Sequence, residues 1–119
     1  MKAIIVDPYE RPRIAEISAD LDTLQSLVGG EIQVVYPFED SVGIICNEEG
    51  KLLGLPLNRS LKDNRGEIYD IISGRFIVSG LTEDDFGDLT DEQIATYMKL
   101  FHNKETFVRK GQRIISFSV

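Results

Sequence analysis

The run Val42–Cys46, VGIIC, constrains the fold of this chain more than any other stretch. In a strand, successive side chains point to opposite faces, so a run that is apolar on both faces belongs inside a sheet rather than at its rim. Serine precedes it and Asn47 follows, which bounds the strand. The neighbouring "EIQVVYPF" behaves differently: Ile32, Val34, Tyr36 and Phe38 recur with period two, as expected for a half-buried strand with all four on one face. Pro37 has no N–H to give a neighbour, which places that strand at an edge or ends it there.

Further short apolar runs with turn residues between them fill the rest of the chain. "KAIIVD" and "RIAEIS" flank the turn "DPYERP", and "GRFIVSGL" reads as another strand. After VGIICN, "NEEG" signals a tight turn in which Asn47 and Gly50 take the unusual backbone angles, and "KLLGLP" is expected to pair back as the second arm of a hairpin. "KDNRG" marks a further turn. At the end, "RIISFSV" alternates Ile115, Phe117 and Val119 onto one face.

Helical spacing appears twice. Leu21, Leu24, Leu27 and Val28 form one stripe, with Ser18 or Asp20 to cap it and Gly29-Gly30 to end it. In "LTDEQIATYMKLF", Thr90 and Gln93 make a capping box, Leu89 can staple onto Ile94, and Ile94, Tyr97, Met98 and Phe101 form the buried stripe. The order predicts an α+β fold: a mainly antiparallel sheet with two helices packed on it, the helices covering one face. The 119 residues make one domain, 1–119, without repeat or linker.

Several functions are excluded by composition. A single cysteine, Cys46, permits neither an internal disulfide nor a cysteine-rich zinc site, and its apolar strand predicts an inert, buried thiol. No apolar stretch reaches the roughly 18–20 residues of a membrane helix, and none has the length of a secretory leader, so a cytoplasmic protein without membrane contact is expected. The net charge is -7, and no Lys or Arg occurs between Ile14 and Gly50. A second acidic run holds Glu83, Asp84, Asp85, Asp88, Asp91 and Glu92. Nucleic acid is not an expected partner, because phosphate binding needs clustered cations. A protein partner engaged through the acidic surface is the sharper reading, and a merely solvated surface the plainer one.

Catalytic and metal motifs are missing: there is no phosphate loop, no dinucleotide fingerprint and no paired-histidine site, so neither cofactor nor metal is expected. Asp85-Phe86-Gly87 matches a kinase fragment without its companion motifs, and "EDDFGD" lacks the ligand spacing of a calcium loop. His102, the one histidine, falls at a helix end, a structural position.

One stretch admits a ligand. In "LGLPLNRSL", Asn58 and Arg59, with Lys62 and Asp70, make a candidate anion-binding corner, since an arginine fork pairs bidentately with carboxylate or phosphate. The structural alternative makes Pro56 the stop of a hairpin arm. Asn58 and Ser60 then bond their own backbone, and Arg59 pairs with Asp70 or Glu67.

"LQSLVGGEIQVVYPF", "ICNEEGKLLGLPLNR" and "IYDIISGRFIVSGL" together resemble the bacterial and phage family known as domain of unknown function 3846. The resemblance runs from Met1 to about Phe101, and the spacing of "CNEEGK" to "GLPLNR" is its most specific part. It implies a setting in Firmicutes, their phages and conjugative elements, and it assigns no catalytic residue. The core is thus 1–101, and the C-terminal strand segment 102–119 lies outside the resemblance. The expected function is that of a small non-enzymatic, acidic interaction or accessory protein of a mobile element or phage. The alternative is a small anionic-ligand binder using the Asn58/Arg59 corner.

Overall fold

The computed structural model describes all 119 residues. Five main strands form one antiparallel sheet in the order β2-β1-β7-β4-β3, with β8 pairing onto β7. These are β1 (Lys2–Val6), β2 (Arg13–Glu16), β3 (Ile32–Val35), β4 (Val42–Asn47), β7 (Phe76–Leu81) and the short β8 (Phe86–Gly87). Two hairpins stand apart from it: β5 (Leu57–Lys62) with β6 (Ile68–Ser73), and β9 (Glu105–Lys110) with β10 (Arg113–Ser118). The helices are α1 (Leu21–Val28) and α2 (Asp91–Leu100).

The run VGIIC is interior, as its two apolar faces require. Every residue of β4 is buried, between β3 on one side and β7 on the other. On one face Val42, Ile44 and Cys46 join Ile4, Val6, Phe76 and Val78 beneath Tyr97 and Phe101 from α2. The opposite face carries Ala3, Ile45 and Ile77, covered by Leu24 and Val28 of α1. The two helices therefore lie on opposite faces, not on one. Each helix has a single apolar stripe, and a sheet with two apolar faces needs a cover for each. The β5–β6 hairpin shares the α2 face through Leu61 and Ile72.

Both helices begin and end as their sequences dictate. Asp20 caps α1 by accepting from the Thr23 N–H at 3.0 Å and from its hydroxyl at 2.7 Å, and Gly29 closes it at φ 82°. A hydrogen bond from the Ser18 hydroxyl, followed by these from Thr23, holds the Asp20 carboxyl down at about 2. In α2, Gln93 N–H donates to Thr90 Oγ1 at 3.1 Å while Thr90 N–H donates to Gln93 Oε1 at 2.9 Å, completing the capping box.

Three local expectations are corrected. "KLLGLP" does not pair back on β4, whose two edges are already taken by β3 and β7; residues 50–54 turn instead, and the next strand begins at Leu57. Gly50 is needed there for close approach rather than for an unusual angle, since a Cβ would lie 2.9 Å from the Ser73 carbonyl. The chain leaves the sheet after Val35, ahead of Pro37. Tyr36 is exposed, and Phe38 packs on the α2 face with its ring centroid 4.8 Å from that of Tyr97. The four residues from Ile32 to Phe38 thus do not share a face. In the C-terminal hairpin, Ile115, Phe117 and Val119 are exposed.

Candidate functional site

From Leu57 onward the stretch LGLPLNRSL is a strand, not a corner, and its pairing with β6 slips by one residue. Leu57 faces Ser73 and Arg59 faces Ile72, so Asn58 is the extra residue of a β-bulge. Two consecutive side chains can then turn inward, and both are almost fully buried, Arg59 at 1% exposure. Asn58 Nδ2 donates to the carbonyls of Val6 at 2.9 Å and Gly74 at 2.8 Å. The Arg59 guanidinium donates to Asn58 Oδ1 (2.8 Å), to the Glu10 carbonyl (2.6 Å) and to the Phe101 carbonyl from two nitrogens at 3.2 Å. It pairs with neither Asp70 nor Glu67. Its acceptors are the Asn58 amide oxygen and backbone carbonyls, one of them at the C-terminus of α2, where the helix dipole favours a cation. Burial lowers its pKa, the Glu105 carboxylate raises it, and Arg11 lowers it again.

The other two candidate residues lie elsewhere. Asp70 forms an ion pair with Lys51 at 2.6 Å, beside a cleft of ≈ 130 Å³ that Cys46, Asn47 and Ser73 also line. Lys62 is exposed and borders a separate cleft with Phe101 and Glu105. Only Asn58 and Arg59 are brought together. Ser60 turns to Glu105 of β9, giving it a backbone N–H at 3.0 Å and a hydroxyl at 2.5 Å; Ser116 of β10 adds a second hydroxyl at 2.6 Å. That carboxylate fastens the C-terminal hairpin to β5.

Around the buried pair gathers a cluster that sequence reasoning missed. Asp7, at the end of β1, accepts from Arg13 Nη1 at 2.5 Å and from Arg75 Nε at 2.6 Å. Burial pushes its carboxyl up, but the two guanidiniums outweigh that and hold it below the usual carboxylate range. Arg11 Nη1 donates to the carbonyls of His102 and Val119. The available signal was the turn "DPYERPR", which carries two arginines six residues or fewer from an Asp-Pro; Arg75 is distant in sequence and gave none.

At the other end of α2 the two acidic runs meet. Asp40 accepts from Tyr97 Oη at 2.8 Å and from Gln93 Nε2 at 3.1 Å, which brings Glu39 and Asp40 beside the first turn of the helix. The tyrosine hydroxyl and the amide lower the Asp40 pKa, while burial and the carboxylate raise that of Tyr97. Glu83, Asp84, Asp85, Asp88, Asp91 and Glu92 are all exposed. Their one ion-pairing cation is Lys2, 4.0 Å from Asp91. Cys46 is buried, and burial together with the Asp70 charge raises its pKa. No helix is long and apolar enough to cross a membrane.

An α+β fold with a bulged, arginine-bearing strand behind its sheet is the class of protein that these features define. The chain belongs to the family described as domain of unknown function (DUF3846), whose profile matches residues 1–102. Neither curated proteins nor solved structures give a match. The match ends at the residue after Phe101, so β9 and β10 lie outside it.

Proposed function

We propose that this chain is a small non-enzymatic interaction protein, an accessory protein of a phage or mobile element acting in the cytoplasm, whose acidic ledge binds a basic protein surface. The observation that carries this reading is the meeting of the two acidic runs around the N-terminal end of α2, with Lys2 as the lone ion-pairing cation of Glu83–Glu92. Unpaired carboxylates facing water steer a positively charged partner and discriminate against others. The groups that would serve covalent chemistry are poorly placed for it: the Cys46 thiol is buried, with its pKa raised. The alternative of an anionic-ligand binder built on Asn58 and Arg59 has no exposed donor at that position, because the internal carbonyls take them.

The test neutralises Glu39, Glu83, Asp84 and Glu92 to glutamine or asparagine, sparing the acids that bond within the fold. Wild type and variant are used in parallel to capture proteins from host cells, and each protein retained by wild type alone is re-measured in purified form by titration calorimetry. The reading predicts at least a tenfold loss of affinity with an unchanged melting temperature. Equal retention by both proteins, or no partner for the wild type, overturns it.

A further inference from the structure

Among the pieces of backbone that Asn58 and Arg59 hold are Val6 before the β1–β2 turn, Glu10 within it, and Gly74 between β6 and β7. What these pieces display outward is Tyr9, Arg13 and Arg75. Tyr9 sits at φ 63°, in the left-handed region that non-glycine residues rarely adopt, and the residue is 58% exposed. The Arg13 and Arg75 side chains are 49% and 35% exposed.

Each guanidinium uses only one nitrogen on Asp7. Arg13 donates through Nη1 and Arg75 through Nε, to different oxygens of the same carboxyl group. A guanidinium carries five N–H donors in a fixed plane. Arg75 therefore retains both Nη groups, and Arg13 retains Nε and Nη2, with no other partner in the fold. Asp7 neutralises one of the two charges and fixes both forks. The buried Arg59 lies close by and donates to neutral oxygens. Glu10 and Glu105 are the opposing carboxylates nearby; Glu105 is buried and bonded to hydroxyls. On a chain of net charge -7, Arg13 and Arg75 present exposed cationic donors here.

We propose that the Asp7-bridged Arg13–Arg75 pair is a binding site for a phosphate monoester, with the Tyr9 ring flanking whatever the phosphate carries. Two two-pronged donor sets exceed what one edge of a carboxylate accepts. A phosphate monoester brings three acceptor oxygens and close to two negative charges, and arginine forks match it bidentately. Holding both forks on a buried carboxylate removes much of the ordering that binding otherwise costs. Exposed Tyr9, two residues from Asp7 in the same turn, offers an aromatic surface for a flat group. The site is independent of the acidic ledge, which lies at the opposite end of α2.

The experiment follows backbone amide resonances during titration with inorganic phosphate and, separately, adenosine monophosphate, against sodium chloride at matched ionic strength. Both phosphates are expected to shift Tyr9, Arg13 and Arg75 amides saturably, with the nucleotide binding more tightly. Arg13→Gln and Arg75→Gln should each weaken both ligands at least tenfold; these side chains are exposed enough for the variants to fold, which the spectrum itself shows. Tyr9→Gly relaxes the backbone and should abolish the preference for the nucleotide. If phosphate shifts nothing beyond the chloride control, or both glutamine variants bind as wild type does, the site is refuted. A nucleotide preference that survives Tyr9→Gly removes the tyrosine from it.

Discussion

Replacing Arg59 with alanine tests the account of the bulged strand most directly. The substitution strips hydrogen bonds from the carbonyls of Glu10 and Phe101 and from Asn58 Oδ1, three acceptors that the fold gives no other donor. A buried acceptor left without a donor costs about 1–3 kcal/mol, and removing the buried stem leaves a cavity besides. Against this stands relief from holding a charge out of water, which offsets part of the loss. The balance of the unsatisfied acceptors and the cavity, less that relief, is a destabilisation of about 3–5 kcal/mol. For a domain of this size each kcal/mol lowers Tm by roughly 3–4 °C, so Tm should fall by about 10 °C or more. Urea unfolding followed by far-ultraviolet circular dichroism suits the chain, which has no tryptophan. Arg59→Met, which keeps the stem and drops the charge, should recover part of the stability. A midpoint for Arg59→Ala within error of the wild type would refute the reasoning and return Arg59 to the list of ligand-binding side chains.

Cys46→Ala should cost about 1–2 kcal/mol by loss of packing, and the native thiol should resist bulky reagents; rapid labelling without denaturant contradicts its burial. Thr90→Ala should cost about 1 kcal/mol through the lost cap, against roughly 3–5 kcal/mol for Phe101→Ala, whose ring meets Phe76 at 5.2 Å; comparable small losses in urea melts would show that α2 is not docked as described. The Asp7 pKa is lowered on folding, so its contribution to stability is present above the unfolded value near 4 and is lost as pH falls through the folded one. Asp7→Asn should therefore flatten the acid limb of the stability profile, and an unchanged slope in melts between pH 5 and 2 would contradict the pairing with Arg13 and Arg75.

Much of this architecture was legible in local pattern. The capping box of Thr90 and Gln93, the glycine stop at Gly29 and the interior position of VGIIC each follow from neighbours within four residues. What was not legible depends on pairings between distant segments. The bulge at Asn58 is a register slip against β6, and no local signal announces that both Asn58 and Arg59 turn inward. Phe38 crosses to the α2 face because Tyr97 and Phe101 wait there, 59 and 63 positions later. Of the four candidate site residues, Asn58 and Arg59 are buried on internal oxygens of a strand, while Asp70 went to Lys51 and Lys62 to solvent, since long side chains choose partners by tertiary geometry.

The position of β7 between β1 and β4 dictates the order of events on the ribosome. β1 and β2 can form one hairpin and β3 and β4 another as soon as they emerge, but neither hairpin contacts the other except through β7, which leaves some 70 residues after β1. Phe76 follows Asn47 by 29 residues, so at roughly 5–20 residues per second VGIIC waits about 1.5–6 s with one edge unpaired. An unpaired apolar strand of this kind is a template for pairing with other chains. Slowing synthesis between Leu55 and Gly74 should therefore lower the soluble yield, and a chain permuted to begin with β7 should relieve it.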